Sequence, residues 1–377
     1  MKTIDRNYDI ATGAQDLEHL YTFKNFPVFM GCVDQPQAED AVSDMNWYIS
    51  KASGMIQLNP LLPLDVVYQT EHNPGTTGQA WLDHHLAFAK FIEQYDPKNV
   101  FEIGGAHGIL SQYYQDVHTD TEWTILEPNP IPVPGLKAAM IQGFFTSDTV
   151  LDKDVDMIVH SHVLEHVYEP TEFFRSFINV ELGTKMCFSI PNLKLYLQRR
   201  YTNALNFEHT FFCSEEYVKW WLERNGFELI EEYYYSDFSI FYSCVKTTMH
   251  VVQPLPANLY NDNKQLFQGY LDHHVELVDQ INRDIDTADG PVYLFGAHVF
   301  SQFLLNFGLN RSAIVSILDN STLKQGKRLY GTDLTVDSPK VLKDKINPTV
   351  ILRCGVFNDE IKKDILENIN SSTRFLE

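Results

Sequence analysis

Short apolar runs recur along the middle of the chain and alternate with segments in which apolar residues return at every third or fourth position. Runs of the first kind are typical of buried strands, and spacing of the second kind is typical of amphipathic helices. The predicted strands are 99–103, 122–126, 155–160, 185–190, 229–234 and 239–244, and the predicted helices are 78–92, 109–114, 170–177 and 214–222. This alternation predicts a doubly wound α/β sheet, and the two consecutive strands at its end predict an antiparallel pair.

The alternation restarts near the C-terminus, after a polar segment that predicts a linker and a helix over 263–285. Strands at 292–295 and 313–318 enclose a predicted helix over 299–307. Near the N-terminus, prolines interrupt short apolar pieces, and no regular pattern emerges. We therefore predict an N-terminal unit over residues 1–75, the doubly wound domain over 76–250, and a linker helix with a smaller Rossmann-like α/β domain over 251–377.

Composition and charge narrow the range of partners. Hydrophobic residues make up 44% of the 377 residues, which is enough for a substantial core. The formal net charge of −21 disfavours nucleic acid and anionic membrane surfaces, because phosphates are bound by clustered Lys and Arg. No apolar stretch reaches the length needed to cross a bilayer, and the charged start of the chain does not resemble a signal peptide. We expect a cytoplasmic protein that acts on a small molecule.

A glycine turn follows the first strand of the doubly wound domain. Gly104, Gly105 and Gly108 have no β-carbon to collide with a ligand that approaches the backbone. Glu127 ends the next strand and is placed to accept hydrogen bonds from ribose hydroxyls, while Glu102 could face a positively charged part of the ligand. Taken alone, the turn predicts a nucleoside-binding site, and NAD remains an alternative ligand.

Three motifs, in this order and spacing, resemble the Rossmann-type methyltransferases: residues 100–108, 126–128 and 161–170. The resemblance implies that S-adenosylmethionine is the methyl donor and S-adenosylhomocysteine the product. In that family the segment after the fourth strand closes over the donor, which places Ser161 and His162 beside its methionine part. The implied donor-binding residues are Glu102, Gly104, Gly105, Gly108, Glu127, Pro128, Phe144, Ser161 and His162, with Phe144 near the adenine. Glu165 and His166 are interpreted as surface residues of a helix.

A second candidate site is the pair Glu208 and His209, which lies among aromatic residues before the helix at 214–222. Histidine titrates near neutral pH, so a neighbouring acid can orient the imidazole or stabilise its cation. Methylation at carbon needs such a base, because a C–H next to a carbonyl must lose its proton before the carbon can attack. The alternative is a buried histidine that caps a turn beside Glu208.

The C-terminal part resembles the last domain of the three-domain sugar C-methyltransferases, in segments 293–297, 304–306, 318–320, 324–327 and 330–332. Those enzymes act on nucleotide-linked keto-sugars and use a Tyr-x-Glu-His motif, which corresponds here to Asn206, Glu208 and His209. The tyrosine is therefore absent. Their N-terminal zinc domain is built on paired cysteines, and Ser50 and Ser53 occupy two of those positions here. Because serine hydroxyls are poor zinc ligands, we predict no metal and an N-terminal unit that covers the acceptor.

The leading hypothesis is C-methylation of a nucleotide-linked keto-sugar or a similar activated small molecule, with His209 as base and Glu208 orienting it or polarising the acceptor. The alternatives are O- or N-methylation of a sugar or another small molecule, and a donor-binding protein without catalysis. A local basic cluster of Lys324, Lys327 and Arg328 has two interpretations, a diphosphate site and a solvated loop.

Overall fold

The computed structural model describes residues 2–68, 79–248 and 252–377. The predicted unit borders at 75/76 and 250/251, and the predicted start of a helix at Gly78, lie outside these residues. Within the described ranges, none of the helices combines the length and apolarity required to span a bilayer.

The N-terminal residues form a small antiparallel sheet that the sequence pattern did not show. Its elements and their neighbours are β1 (Leu17–Pro27), β2 (Cys32–Val33), β3 (Val42–Ser50), β4 (Ile56–Leu58) and the short helix α1 (Leu64–Val67). Strand β3 lies between β1 and β4. The register of β1 against β3 shifts between His19 and Tyr21 and again between Phe23 and Phe26. Because these irregularities break the two-residue alternation, the strand did not stand out in the sequence.

The middle of the chain is the predicted doubly wound sheet. Its elements are α2 (Gln79–Glu93), β5 (Asn99–Ile103), α3 (Ile109–Val117), β6 (Glu122–Glu127), β7 (Ala139–Gln142), β8 (Met157–Ser161), α4 (Pro170–Arg175), β9 (Lys185–Pro191), α5 (Leu193–Gln198), α6 (Glu215–Arg224), β10 (Phe227–Tyr235) and β11 (Ser239–Lys246). The strand order is β10-β11-β9-β8-β5-β6-β7, with only β11 antiparallel to its neighbours. The prediction of a doubly wound sheet with a late antiparallel pair is confirmed.

Strand β7 was missed, and its position explains why. It lies at the edge of the sheet, and none of its four residues is buried. By contrast, the central strand β8 is buried over its first four residues, and the first three of them are apolar. An edge strand that buries no side chain leaves no hydrophobic pattern for sequence reasoning to use.

The C-terminal residues form a second parallel sheet. The elements are α7 (Leu259–Asp286), β12 (Val292–Phe295), α8 (Val299–Asn306), β13 (Ile314–Leu318), β14 (Arg328–Leu329), β15 (Val336–Asp337), β16 (Thr349–Leu352), α9 (Asn358–Asp364) and β17 (Arg374–Leu376). The strand order is β15-β13-β12-β16-β17. Helix α7, predicted as a polar helix after a linker, buries one face through residues such as Phe267, Tyr270 and Val278. Strands β2 and β14 pair with each other and join the two ends of the chain.

The basic cluster near β14 is engaged in ion pairs. Arg328 makes two hydrogen bonds to the carboxylate of Asp40, at 2.6 and 2.9 Å, and both side chains are largely buried. Lys324 lies 3.1 Å from Asp319, and Lys327 lies 3.9 Å from Asp34. Each of the three cations thus has a carboxylate partner. Neither interpretation, a diphosphate site or a solvated loop, fits Arg328. Its side chain instead joins the N-terminal and C-terminal parts of the chain.

We predict that Asp40→Ala lowers the free energy of unfolding by about 3 kcal/mol, because it leaves the buried Arg328 guanidinium without its counter-charge. Urea unfolding followed by circular dichroism measures this change. The control is Lys327→Ala, whose pair with the exposed Asp34 is long, and we expect a change within about 0.5 kcal/mol. Equal effects of the two substitutions would contradict the prediction.

Candidate active site

One large cavity lies at the carboxyl ends of the central parallel strands, where open α/β sheets bind ligands. Its volume is about 1850 Å³. It is bordered by the turn after β5, the end of β6, the segment after β8, and the segment that carries Glu208 and His209. The residues predicted from sequence that line it are Glu102, Gly104, Gly105, Glu127, Pro128, Phe144, Ser161, His162, Glu208 and His209. Both predicted sites therefore open into one space.

Gly108 is the predicted site residue that does not line the cavity. Its φ of +76° places it in the left-handed region, and it caps the N-terminus of α3. A β-carbon there would come within 2.7 Å of the Leu136 side chain. The glycine is needed for helix entry and packing, and its predicted direct contact with the donor is not supported by this position.

Gly105 shows why the turn needs glycine on its inner side. A β-carbon at Gly105 would lie 2.6 Å from the side chain of Ile125 and 2.9 Å from the carboxyl carbon of Glu102. The peptide thus packs directly onto the strands below it, and the space above the turn stays open to the cavity. A cradle of this kind fits a nucleoside donor whose atoms approach the main chain.

Glu127 is held in a fixed orientation at the end of β6. Its Oε2 accepts a hydrogen bond from the amide N–H of Ala106 at 3.0 Å, and its Oε1 accepts from that of Asn129 at 2.9 Å. Two backbone donors preorganise the carboxylate while leaving further lone pairs toward the cavity. This geometry suits the ribose contact predicted for Glu127.

Glu102 lies beneath the turn and is buried. Its Oε2 accepts a hydrogen bond from the indole N–H of Trp123 at 2.8 Å. Burial, opposed by the Trp123 hydrogen bond and reinforced by the charge of Glu127, raises the pKa of Glu102 to about 7. A positive charge above the turn would stabilise the ionised form of Glu102. This agrees with the predicted role of Glu102, which is to face the positively charged sulfonium of the donor.

Ser161 and His162 form the wall after β8. The Ser161 hydroxyl lies 2.8 Å from that of Ser189. The backbone of His162 has a φ of +53°, and its Nε2 lies 3.1 Å from the hydroxyl of Ser239. The ring of Trp81 packs edge-on against the His162 imidazole at 4.9 Å. These contacts fix the imidazole at the cavity wall, whereas Phe144 is 62% exposed at its mouth.

Asn206, at the position where the resemblance leads one to expect a tyrosine, builds the turn that presents the acid and the base. Its Oδ1 accepts hydrogen bonds from the amide N–H groups of Glu208 and His209, both at 2.9 Å. Its Nδ2 lies 3.4 Å from Nδ1 of His209. Such side-chain turns are typical of asparagine. The position therefore has a structural role that a tyrosine could not fill.

Burial moves the pKa values of Glu208 and His209 in opposite directions. It raises the pKa of the Glu208 carboxyl to about 8. It lowers the pKa of the His209 imidazole to about 3, with a further contribution from His162. At neutral pH the acid is mostly protonated and the imidazole is neutral, which is the pairing that a hydrogen-bond donor and a proton acceptor require.

The interpretation of Glu165 and His166 as surface residues was wrong. They belong to a single 3₁₀ turn, Leu164–His166, and not to a longer helix. Glu165 is fully buried and lies 3.3 Å from Nδ1 of His162 and 3.8 Å from Nε2 of His166. The ring of His166 packs edge-on against His209 at 5.0 Å. The signal that could have found them is their place in the segment that closes over the donor in the related enzymes.

Tyr68 is a further wall residue that sequence reasoning missed. Its hydroxyl lies 2.8 Å from Nδ1 of His166, although 98 positions separate the two residues. The N-terminal residues thus supply a phenol at the cavity wall beside His166. Nothing in the sequence around Tyr68 marks it, because the contact depends on how α1 packs over the sheet.

The serines in the zinc-ligand positions have local partners. The Ser50 hydroxyl donates to Asp16 at 3.0 Å, and the Ser53 hydroxyl accepts from the amide N–H of Met55 at 3.1 Å. Across residues 2–68, 79–248 and 252–377, a different set meets the spacing of metal ligands. Glu165, His166 and His209 offer one ligand atom each, all within 4.8 Å of one another.

The turn after β12 repeats the hydrogen-bond scheme of the donor turn. The amide N–H of Ala297 donates to Oδ2 of Asp319, and that of Ser321 donates to Oδ1, both at 2.9 Å. Gly296 precedes this turn with a φ of +100°. Asp319 therefore corresponds in geometry to Glu127, and both border the same cavity.

Comparison with known proteins gives one family match and several similar solved structures. The profile of a family described as "Methyltransferase domain" matches residues 78–232. Among solved structures, the chain is similar to the mitomycin 7-O-methyltransferase MmcR, with 15% identity, 45% of this chain and 55% of that chain covered, and a TM-score of 0.37. It is also similar to human N-acetylserotonin methyltransferase in complex with SAM, with 12% identity, 45% and 53% covered, and a TM-score of 0.38.

A third similar structure is the Burkholderia thailandensis 1,6-didemethyltoxoflavin-N1-methyltransferase, with 10% identity, 45% and 81% covered, and a TM-score of 0.36. The chain spans about half the length of the first two of these proteins. No curated protein matches the chain. The family match extends from α2 into β10 and includes the glycine turn, so residues 78–232 match a methyltransferase domain.

Proposed function

We propose that the protein methylates a small molecule at a carbon next to a carbonyl group, with His209 as the base. The observation that carries this proposal is the pairing of a buried neutral imidazole with a buried carboxyl of raised pKa, in the same cavity as the donor turn. A hydroxyl group is more acidic than a C–H group, and an amine is already nucleophilic. A C–H next to a carbonyl instead needs both a base and a group that stabilises the enolate.

The residues of the chain divide the chemistry between them. Glu102, Glu127 and the Gly104–Gly105 backbone hold the donor, which supplies an electrophilic methyl group on a positively charged sulfur. His209 takes the proton from the acceptor carbon. Glu208, protonated at neutral pH, donates a hydrogen bond to the acceptor carbonyl oxygen, where the negative charge of the enolate develops.

More specifically, we propose that the acceptor is a keto-sugar. The resemblance to the sugar C-methyltransferases supports this choice. That resemblance further implies a nucleotide-linked sugar. O- or N-methylation of a sugar or another small molecule is the second candidate, with His209 removing a proton from a hydroxyl. A donor-binding protein without catalysis is the third.

Carbon NMR of the product separates these candidates. With isotopically labelled S-adenosylmethionine and a panel of carbonyl compounds, C-methylation gives a labelled C–CH3 signal. A methoxy or N-methyl signal instead would replace the proposal by the second candidate, and absence of any transfer to the panel would favour the third.

We predict that turnover falls at alkaline pH as Glu208 ionises. The protonated acid is the active form, so turnover is full well below the pKa of about 8 and falls by about tenfold per pH unit above it. Tyr68 and Tyr168 lie close enough to Glu208 to interact with it electrostatically, and the pKa of each phenol is itself raised, so both are neutral in this range. His209, with a pKa of about 3, adds no acidic limb between pH 5 and 8.

The control for the pH profile is Glu208→Gln, which stays neutral and can still donate a hydrogen bond. We expect the alkaline limb to disappear in this variant. A limb of the same shape in both proteins would assign it to another group.

We predict that chelators leave turnover unchanged, although Glu165, His166 and His209 have the spacing of metal ligands. A metal on the His209 imidazole would occupy the lone pair that must accept the proton. Assays after dialysis against EDTA test this, and added Zn²⁺ is expected to inhibit. Loss of turnover that a divalent metal restores would assign the cluster to a metal and remove His209 as the base.

A further inference from the structure

The wall of the cavity is acidic along its whole length. Lys324 is the one lysine among the described lining residues, and no arginine is among them. Lys324 is already within 3.1 Å of Asp319. The segments outside the described residues contain no Lys or Arg in the sequence. The acidic lining residues are Asp65, Glu102, Glu127, Glu165, Glu169, Glu172, Glu208, Asp319 and Glu360.

Glu165 stands apart from the other acids of this wall. It is fully buried, and both of its carboxylate oxygens lack a hydrogen-bond partner. The basic groups within 4 Å of its carboxylate are the imidazoles of His162 and His166, which carry charge only when protonated. A buried carboxylate without hydrogen bonds is costly unless a cation or a strong donor compensates it. Glu165 lies beside His166 and His209, which are at the acceptor end of the cavity. The compensating cation or donor is therefore expected at that end.

The nearby Arg6 does not supply the missing charge at the wall. Its guanidinium donates to the carbonyl oxygens of Leu58, Tyr168 and Thr210, and it does not line the cavity. The turn after β12 is equally unsuited to a phosphate, because the Ala297 amide already donates to the carboxylate of Asp319.

We infer that the acceptor is an amine-bearing carbonyl compound, bound with its ammonium group near Glu165, and not a sugar linked to a nucleoside diphosphate. A diphosphate is normally bound by Arg, Lys or a metal ion, and the ionised carboxylates among these acids would repel it, although Glu208 is itself mostly protonated at neutral pH. An ammonium group is instead stabilised by carboxylates and aromatic faces. The acceptor end offers both, because Glu165 lies close enough to Tyr68 to interact with it electrostatically and Tyr168 lines the same cavity. This inference rests on the proposed function and specifies its acceptor.

The test is calorimetric titration of the full chain saturated with S-adenosylhomocysteine, using glucosamine, glucose and dTDP-glucose as probes. We expect saturable binding of glucosamine, binding of glucose weaker by about tenfold, as expected for one charge-assisted contact, and no saturation with dTDP-glucose. Glu165→Gln is expected to weaken glucosamine binding by about tenfold and to leave glucose binding unchanged.

Two further variants keep the test decisive if Glu165→Gln does not fold. Asp65→Asn, at the exposed acceptor rim, should weaken glucosamine binding by about threefold, whereas Glu360→Gln, at the C-terminal end of the wall, should leave it unchanged. Saturable binding of dTDP-glucose, equal binding of glucosamine and glucose, or binding of neither would overturn the inference. Failure of S-adenosylhomocysteine itself to bind would instead overturn the proposed function.

Discussion

His209→Ala lowers turnover by about 100-fold or more and leaves donor affinity within a few fold, if the imidazole is the general base. The reason is that the imidazole is buried, neutral and placed at the acceptor end of the cavity, while the donor turn is built from other segments. Without it, position 209 holds no basic nitrogen that could take up the proton of the acceptor carbon. Turnover is measured by release of S-adenosylhomocysteine, and donor affinity by calorimetry.

The matched control is His118→Ala, the same substitution at an imidazole that pairs with Glu93 outside the cavity. We expect turnover of this variant to equal that of the parent protein. A second comparison, His209→Gln, retains a polar side chain of similar size without a basic nitrogen, and we expect the same loss as in His209→Ala. Unchanged turnover in His209→Gln would remove the imidazole from the proton transfer.

Glu127→Ala weakens binding of S-adenosylmethionine by roughly 50-fold, corresponding to about 2–3 kcal/mol for lost hydrogen bonds to a charged acceptor. Part of the loss is indirect, because the carboxylate also accepts from the amides of Ala106 and Asn129 and so holds the turn in place. Equilibrium titration with S-adenosylmethionine and S-adenosylhomocysteine measures the effect.

The chain itself contains a control for this substitution. Asp319 accepts hydrogen bonds from Ala297 and Ser321 in the same scheme, at the end of the equivalent strand of the C-terminal sheet. Asp319→Ala should leave donor affinity within about twofold, since independent sites do not couple. Equal losses in the two variants would mean that the donor contacts both turns or that the substitutions act through stability.

The sequence predicted the doubly wound sheet because its central strands are buried on both faces and leave long apolar runs. It predicted the late antiparallel pair because two aromatic strands follow each other without a helix. The edge strand β7 and the irregular strand β1 escaped prediction, since exposure removes the hydrophobic pattern and register shifts interrupt its period. The short strands β15 and β17 have too few residues to form a pattern.

The site shows the same division. The glycine turn and Glu127 could be predicted because their function depends on a local sequence with a fixed spacing. Both line one cavity, whereas Gly108 packs against Leu136 and does not line it. The burial of Glu165 could not be predicted, because it depends on a single 3₁₀ turn packing under the segment that carries His209.

The sequence by itself determined the alternation of the central strands and helices and the position of the glycine turn, because each is encoded by neighbouring residues. Only the tertiary structure decided which distant groups meet at the acceptor end, where Tyr68 reaches His166 and His166 lies against His209. It also decided which of the many acidic side chains line the cavity. The net charge alone only disfavoured nucleic acid as a partner. The physical reason is that contacts and burial between remote segments depend on packing, which no local pattern of residues specifies.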